Sequence, residues 1–329
     1  MKNKKRLSII ALALGVFAFA YAAIALLPRT ANYGYKNEMM KEEEMPILIA
    51  HGGGNKEFPD NTLEAFYNAY SVDENAMMET DVSITKDGVV ILSHDTTIDR
   101  KTEFEGAIAD WYYSDLVAQQ VDFSYEHDKK FTNDEGKEVT PQDVSYPYGV
   151  KARHSTKFLV TTLEQLLTAF PENRISIEIK QEGELGKQAL TAVLELLEKH
   201  NAFDRTVVAS FHKEIYKEFK RMQKAGEVPA SFMFSPNTGG VAKFYISFLL
   251  GADALFKDKV CVLQIPMKEY GFNLATKALV KRAHKHNMAV HYWTVNEKED
   301  MRHLIEIGAD GITTDYPHRL AEVYAEYNA

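Results

Sequence analysis

Cysteine and positive charge are both scarce in this sequence, and each shortage excludes a class of protein. Cys261 is the single cysteine among 329 residues, so the chain offers neither an intramolecular disulfide nor a cysteine–histidine zinc-finger spacing. Positions 1–29 hold five basic and no acidic residues, and the rest of the chain carries 33 basic against 47 acidic residues, a net charge of −14. A body with this charge repels polyanions, so we expect no nucleic acid as a partner.

The N-terminal segment combines a basic cluster with a long uncharged run. Lys2 to Arg6 is basic, and Ser8 to Leu27 has no charged side chain. About twenty helical residues at about 1.5 Å each span a bilayer core of about 30 Å. We therefore predict a transmembrane signal anchor over residues 1–29, with a signal peptide cleaved at Ala20-Tyr21-Ala22 as the alternative. Both predict a body outside the cytoplasm, on the cell membrane or secreted, with residues 30–45 as a solvated linker.

Candidate chemistry is concentrated just after this linker. An apolar strand delivers His51 to its carboxyl end. A second strand, Met77 to Val82, carries Glu79 and Asp81, which point the same way because strand side chains alternate between faces. The chain then turns and leaves a third, short strand at His94. Two histidines and a same-side acidic pair at strand ends indicate a metal-assisted hydrolytic site.

The order and spacing of these pieces resemble the glycerophosphodiester phosphodiesterase family, whose members open on a strand ending in His-Arg-Gly. Further matching pieces are Pro59-Asp60-Asn61-Thr62, Glu79-Thr80-Asp81, Lys86-Asp87-Gly88, His94-Asp95, Asp99-Arg100, Ile177-Glu178-Ile179-Lys180, Ser210-Phe211, Trp293-Thr294-Val295-Asn296 and Gly308 to Asp315. Each fragment alone is a weak signal, but all of them in the family's order are a strong one. The resemblance covers roughly residues 46 to 328.

The resemblance implies a metal site and an acid–base pair. The family's matching carboxylates, here Glu79, Asp81 and Glu178, hold one divalent ion, and oxygen-only ligands favour Ca²⁺ or Mg²⁺. The family assigns acid–base work to the histidines that match His51 and His94. Histidine suits this work because it titrates near neutral pH.

Four further residues are candidates for substrate binding. Lys180 and Arg100 are cationic candidates near the phosphate, although Arg100 is alternatively a structural partner for acids. Trp293 is a candidate floor under the glycerol or headgroup, with a core tryptophan as the alternative. Gly52 departs from the family, which has a phosphate-contacting arginine there; three consecutive glycines predict a weaker backbone anion nest in its place.

The remaining chain alternates strand and helix, which predicts an α/β fold of the (β/α)8 TIM-barrel type over residues 46–329. The sequence has nine candidate strands, one more than the eight strands of a TIM barrel. The second and third are joined by too short a turn to be parallel neighbours, so we predict an antiparallel extension or a distorted edge there.

Two segments do not fit the alternation. Residues 105–157 are aromatic but aperiodic, and we expect an insertion over the mouth of the site with a role in specificity. Val241 to Phe256 is strongly apolar; we predict a core-packed helix, with a membrane-interfacial segment as the alternative.

The sequence therefore predicts a metal-dependent hydrolase that converts glycerophosphodiesters into a glycerol phosphate and an alcohol. Its expected partners are a small or lipid-derived phosphodiester and, through the N-terminal helix, a membrane. One alternative is a phospholipase D-like or lysophospholipase D-like enzyme acting on membrane lipids. The other is a catalytically silent barrel that binds polyol phosphates.

Overall fold

A computed structural model describes residues 2–153 and 155–327, with side chains of the first helix described at positions 10, 12 and 14–26 only. The described residues form thirteen strands: β1 (Ile47–His51), β2 (Met77–Ile84), β3 (Val90–Leu92), β4 (Tyr125–Glu126), β5 (Lys129–Lys130), β6 (Ile175–Ile179), β7 (Thr206–Ala209), β8 (Met233–Phe234), β9 (Val262–Ile265), β10 (Lys268–Glu269), β11 (Phe272–Asn273), β12 (Ala289–Tyr292) and β13 (Gly311–Thr314). They also form ten α-helices: α1 (Lys2–Leu26), α2 (Leu63–Val72), α3 (Tyr113–Ala118), α4 (Leu163–Ala169), α5 (Gly183–Lys199), α6 (Lys213–Ala225), α7 (Thr238–Leu249), α8 (Lys277–His284), α9 (Lys298–Ile307) and α10 (Pro317–Tyr327).

Eight of the strands form one curled parallel sheet in the order β8-β7-β6-β2-β1-β13-β12-β9. This order follows the chain around a ring, as in a TIM barrel, and helices α2, α5, α6, α7, α8 and α9 connect successive strands. No ladder joins β8 to β9 in the described part of the chain, so the TIM-barrel-like sheet has an open seam. The extra strand β3 pairs antiparallel with β2, which confirms the predicted antiparallel extension.

The segment between α1 and β1 packs against the bottom of the sheet. Met39 is fully buried, and its carbonyl is 2.7 Å from His291 Nε2. The Asn37 side-chain amide donates to the carbonyls of Cys261 and Asn287. The prediction of a solvated linker over residues 30–45 is therefore wrong for this stretch. The few apolar residues of this segment pack under the amino ends of the strands. The polar average composition of residues 30–45 gives no sign of this packing.

The insertion builds a small satellite of its own. Leu116, Val121 and Phe123 pack with Ile91 and Ile98 beside β3. In the part of residues 105–157 that the structure describes, no residue lines the cavity at the carboxyl ends of the strands. Another part of the insertion reaches the carboxyl end of the sheet, where the Asp134 N–H donates to the Lys56 carbonyl and the Asp134 carboxylate contacts Tyr316 Oη, so the role over the mouth stays a prediction.

The apolar segment after β8 forms α7, which lies over the open seam. Among the residues of α7, Phe244 is the one that is buried. Ile246, Leu249 and Leu250 are 56%, 54% and 57% exposed. The predicted core-packed helix is therefore confirmed for one face, where Val241, Phe244 and Phe248 pack on the main core, and wrong for the face that carries Ile246 and Leu249.

The N-terminal helix α1 meets the body at its carboxyl end, where Arg29 pairs with the buried Asp253. Among the described residues, no helix has the length and apolar character needed to cross a membrane. The side chains at positions 1–9, 11 and 13 lie outside the described residues, so the predicted anchor falls partly on them.

Candidate active site

His51 ends β1, and a carboxylate from the neighbouring strand holds its imidazole. Ala50 lies opposite Thr314 in the parallel β1–β13 ladder, so the residues that follow, His51 and Asp315, lie side by side. His51 Nδ1 is 2.6 Å from Asp315 Oδ1, and Asn296 Nδ2 donates to the other Asp315 oxygen at 2.7 Å. Because Nδ1 is engaged by Asp315, Nε2 is the nitrogen left for a reacting group.

Three carboxylates are brought to the same edge by strand register. His51 lies opposite Glu79 in the β1–β2 ladder, and Asp81 lies opposite Glu178 in the β2–β6 ladder. Glu79, Asp81 and Glu178 all line one cavity with His51, as the alternation of strand side chains predicts.

His94 follows β3 and forms a second histidine–carboxylate pair. Its Nδ1 is 2.8 Å from Asp95 Oδ1, and Arg100 Nε donates to Asp95 Oδ2 at 2.7 Å. The Arg100 guanidinium also contacts Glu126 at 2.8 Å and Asp60 at 3.4 Å. Arg100 does not line the cavity, so the structure assigns it to holding Asp95 and not to direct phosphate contact.

The surroundings of these groups shift their pKa values. Burial lowers the pKa of His51, but the hydrogen bond with Asp315 and the charge of Glu79 outweigh it and raise that pKa to about 9. Burial beside a second carboxylate raises the pKa of Glu79 to about 7. The hydrogen bond with Asp95 raises the pKa of His94 and lowers the pKa of Asp95 to about 2.

Lys180 lies among the carboxylates, as predicted from its place two residues after Glu178. Its Nζ is 2.9 Å from Asp81 Oδ1 and 3.0 Å from Glu178 Oε1. Burial lowers the pKa of Lys180, but the two carboxylates raise it overall. The ammonium is thus a cation standing between two of the three predicted metal ligands.

The donor set fits a hard divalent cation. Glu79, Asp81 and Glu178 supply oxygen atoms only. Burial first, and then the charge of Asp81, raise the pKa of Glu79, and a bound cation would stabilise its ionised form. With Lys180 between two of them, the three carboxylates are not all within 4.8 Å of one another. Among the described residues, the group that meets this spacing is Glu182, His212 and Glu214, which lies outside the cavity.

The three glycines after His51 form a tight turn and not an anion nest. The Gly52 N–H donates to Glu79 Oε2 at 3.0 Å, and those of Gly53 and Gly54 donate to backbone carbonyls within the turn. The predicted nest is therefore wrong. Gly53 has φ +89°, and a β-carbon there would lie 2.6 Å from Ala65 Cβ, so close packing on α2 requires this glycine.

The cavity has a volume of about 380 Å³ and two unlike walls. The polar wall carries the histidines, the carboxylates and Lys180. The other wall mixes polar side chains such as Ser210, Asn237 and Glu269 with apolar ones, which are Phe211, Pro236, Val241, Ile265, Pro266, Leu274 and the predicted Trp293. A charged phosphate and an apolar or aromatic-binding group can therefore be accommodated side by side.

Sequence reasoning did not assign Asp315, Asp95 or Asn61 to the site. Asp315 follows the last strand of the barrel, and closure of a barrel places its last strand beside its first. The position of Asp315 next to His51 could therefore have been predicted from the sequence. Asn61 lies just before Thr62, the N-cap of α2. The Asn61 amide donates to Asp81 Oδ2 at 3.2 Å and orients that carboxylate.

Comparison with known proteins finds relatives over most of the chain. Residues 51–319 match the model of the Glycerophosphoryl diester phosphodiesterase family. A glycerophosphodiester phosphodiesterase of Caldanaerobacter subterraneus subsp. tengcongensis is 25% identical over 276 residues, covering 83% of this chain and 96% of the relative. A human lysophospholipase D is 24% identical over 290 residues, covering 83% of each protein.

Solved structures show the same fold. The glycerophosphoryl diester phosphodiesterase domain of a Mycobacterium tuberculosis protein gives a TM-score of 0.65 at 19% identity, over 84% of this chain and 98% of that one. A phosphodiesterase of Oleispira antarctica, in complex with the product sn-glycerol-3-phosphate, gives 0.61 at 18% identity over 85% and 97% of the two chains.

Proposed function

The chain belongs to the glycerophosphoryl diester phosphodiesterase family, and we propose that it is a phosphoric diester hydrolase that cleaves glycerophosphodiesters to a glycerol phosphate and an alcohol. The observation that carries this proposal is the pair of histidine–aspartate contacts at one barrel mouth. His51 is held by Asp315 at 2.6 Å and His94 by Asp95 at 2.8 Å. Each imidazole keeps Nε2 for proton transfer.

The two histidines divide the proton transfers of hydrolysis. One imidazole removes the proton of the attacking hydroxyl, and the other donates a proton to the departing alkoxide. Burial and Asp315 keep His51 in one orientation, and Asp95, fixed by Arg100, does the same for the more exposed His94. Such assistance is typically worth about 10²–10⁴-fold in rate.

We propose Ca²⁺ or Mg²⁺ as the cofactor, held by Glu79, Asp81 and Glu178. When bound, the ion withdraws charge from a phosphate oxygen and so lowers the barrier to attack at phosphorus. Lys180, which lines the same cavity, is the protein's own cationic group for the phosphate.

The test is turnover of glycerophosphocholine by the purified full chain, followed by phosphorus NMR with and without EDTA. We expect release of glycerol phosphate that EDTA stops and added divalent ion restores. His51→Ala and His94→Ala should each lose about 10²–10⁴-fold of the rate while staying folded. The matched control His303→Ala removes an imidazole whose Nε2 contacts the Ala275 carbonyl outside the cavity. Near-normal rates in either of the first two variants would refute the acid–base assignment.

A lysophospholipase D-like activity is the second candidate, because one wall of the cavity carries several apolar side chains. Phe211, Val241, Ile265 and Leu274 offer a surface that a small polar alcohol does not need. Assays with lysophosphatidylcholine in parallel separate the two substrates. Turnover of the lysolipid alone favours this second candidate, and tight binding of glycerol phosphate with no turnover of either favours a silent binding barrel.

We further propose, from the sequence, that the chain is attached to the cell membrane with its body outside the cytoplasm. The support is the basic cluster Lys2 to Arg6 and the uncharged run Ser8 to Leu27. Retention in the membrane fraction after alkaline carbonate treatment tests attachment. Cleavage of the body by protease added to intact cells tests the orientation.

A further inference from the structure

The surface of α7 is unusual because its apolar side chains face solvent. Ile246, Leu249 and Leu250 lie at i, i+3 and i+4 spacing and therefore share one helix face, and each is more than half exposed. The neighbouring Tyr245 contacts Phe272 of the β10–β11 hairpin at a ring distance of 5.9 Å. We call this combined patch of α7 and the hairpin the apolar surface.

The apolar surface is continuous with the mouth of the cavity. The first turn of α7 supplies Thr238 and Val241 to the cavity lining, and the hairpin supplies Glu269. Tyr270, at the tip of the same hairpin, is exposed. A partner that covers the apolar surface therefore lies directly beside the opening through which a substrate enters.

Charge identifies the kind of partner. Residues 238–286, which contain the apolar surface, carry eight lysines and arginines against three acidic residues, although the chain as a whole has a net charge of −9. One of the three acids, Asp253, is fully buried and paired with Arg29, Arg282 and His286. Lys257 and Lys259 are exposed, whereas Lys243, also exposed, is paired with Asp258 at 2.8 Å.

We propose that the apolar surface docks on an anionic lipid bilayer. Exposed leucine and isoleucine side chains enter the acyl boundary, and the surrounding lysines contact anionic headgroups. A purely apolar protein partner would not require the local positive charge, and a second copy of this acidic chain would be repelled elsewhere on its surface. Docking presents the cavity mouth to the lipid surface, and it does not depend on which phosphodiester the cavity cleaves.

The test places a bimane fluorophore at Ile246→Cys in the full chain. The native Cys261 is buried with its pKa raised to about 12, so labelling is selective. The matched control carries the fluorophore at Val117→Cys on α3, a position that is 49% exposed and outside the apolar surface. Vesicles of phosphatidylcholine alone are compared with vesicles that contain about one third phosphatidylglycerol.

We expect a blue shift and protection from iodide quenching at position 246, with anionic vesicles and not with neutral ones, and no change at position 117. Tyr21 of α1 lies beside Gly251, so attachment through α1 also brings position 246 close to lipid, and dependence of the shift on Leu249 and Leu250 separates docking of the apolar surface from that attachment. Adding Leu249→Ser and Leu250→Ser should reduce the docked fraction roughly tenfold. No shift at position 246, equal shifts at both positions, or equal shifts with neutral vesicles overturn the proposal. A shift that grows with protein concentration before vesicles are added also overturns it, in favour of self-association.

Discussion

Replacing Asp315 with asparagine tests whether this carboxylate controls His51. The 2.6 Å contact is a charge-assisted hydrogen bond in a largely buried setting, worth about 1.5–3 kcal/mol. One pKa unit corresponds to about 1.36 kcal/mol, so Asp315→Asn should lower the pKa of His51 by about one to two units from about 9. Asp315 does not line the cavity, so kcat should fall about 10²–10⁴-fold with little change in KM.

The assay combines histidine NMR titration with pH profiles of kcat for glycerophosphocholine. Stability gives an independent readout. Because the folded pKa of His51 lies above the unfolded value of 6.5, its contribution is fully present below pH 6.5 and is lost as pH rises through 9. In EDTA, this loss should reach about 3 kcal/mol in the parent chain and shrink in Asp315→Asn. The control is Asp99→Asn, which removes an exposed carboxylate bonded to the Gly106 N–H. An unchanged His51 titration and an unchanged kcat would refute the reasoning.

Three further predictions concern the carboxylates and the glycine turn. Glu79→Gln should abolish turnover but raise the free energy of unfolding at pH 8 in EDTA by about 1–3 kcal/mol. The reason is that the pKa of Glu79 in the folded protein is raised to about 7, so ionisation of this carboxyl above pH 7 opposes folding. Chemical denaturation that shows a less stable variant would contradict this. Ca²⁺ or Mg²⁺ at about 100 times its Kd should stabilise the parent chain by about 2.7 kcal/mol, measured as a rise in Tm, and Glu79→Gln should lose most of that rise; an equal rise in both would place the ion elsewhere. Gly53→Ala should lower the free energy of unfolding by more than 2 kcal/mol, because the new β-carbon would lie 2.6 Å from Ala65 Cβ. The control Gly136→Ala has a similar positive φ but open space around it, so it should cost only about 1 kcal/mol. Thermal unfolding of both variants measures the difference.

The strands that position the site could be predicted because they are short apolar runs with chemistry at their ends. The predicted strand that delivers His51 and the predicted strand Met77 to Val82 agree with β1 and β2. Alternation then placed Glu79 and Asp81 on one side, as the cavity lining confirms. These features are local in sequence, so a period of two suffices to find them.

The features that could not be predicted depend on contacts between distant segments. Met39 is buried against the bottom of the sheet, where its carbonyl contacts His291, 252 residues further along the chain, and no local pattern distinguishes it from a linker methionine. The direction of the Arg100 side chain depends on Asp60, in the loop before α2, and on Glu126 of β4, and these two residues are 66 positions apart in the sequence. The exposed face of α7 depends on the open seam between β8 and β9, which hydropathy alone does not reveal.

The absence of an arginine at position 52 has a consequence for charge in the cavity. A β-carbon at Gly52 would lie 3.0 Å from Asp60 Cβ. Lys101 Nζ contacts the same aspartate at 2.5 Å, so the ion pair of Asp60 and Lys101 occupies the space beside Gly52. Among the described residues, Lys180 is then the one lysine or arginine that lines the cavity. Its ammonium shares Asp81 with the predicted cation site. A carboxylate that partly neutralises one cation holds a second cation less strongly. If Asp81 is a ligand of the proposed divalent cation, we therefore expect the affinity for that cation and the affinity for a phosphate at Lys180 to be coupled.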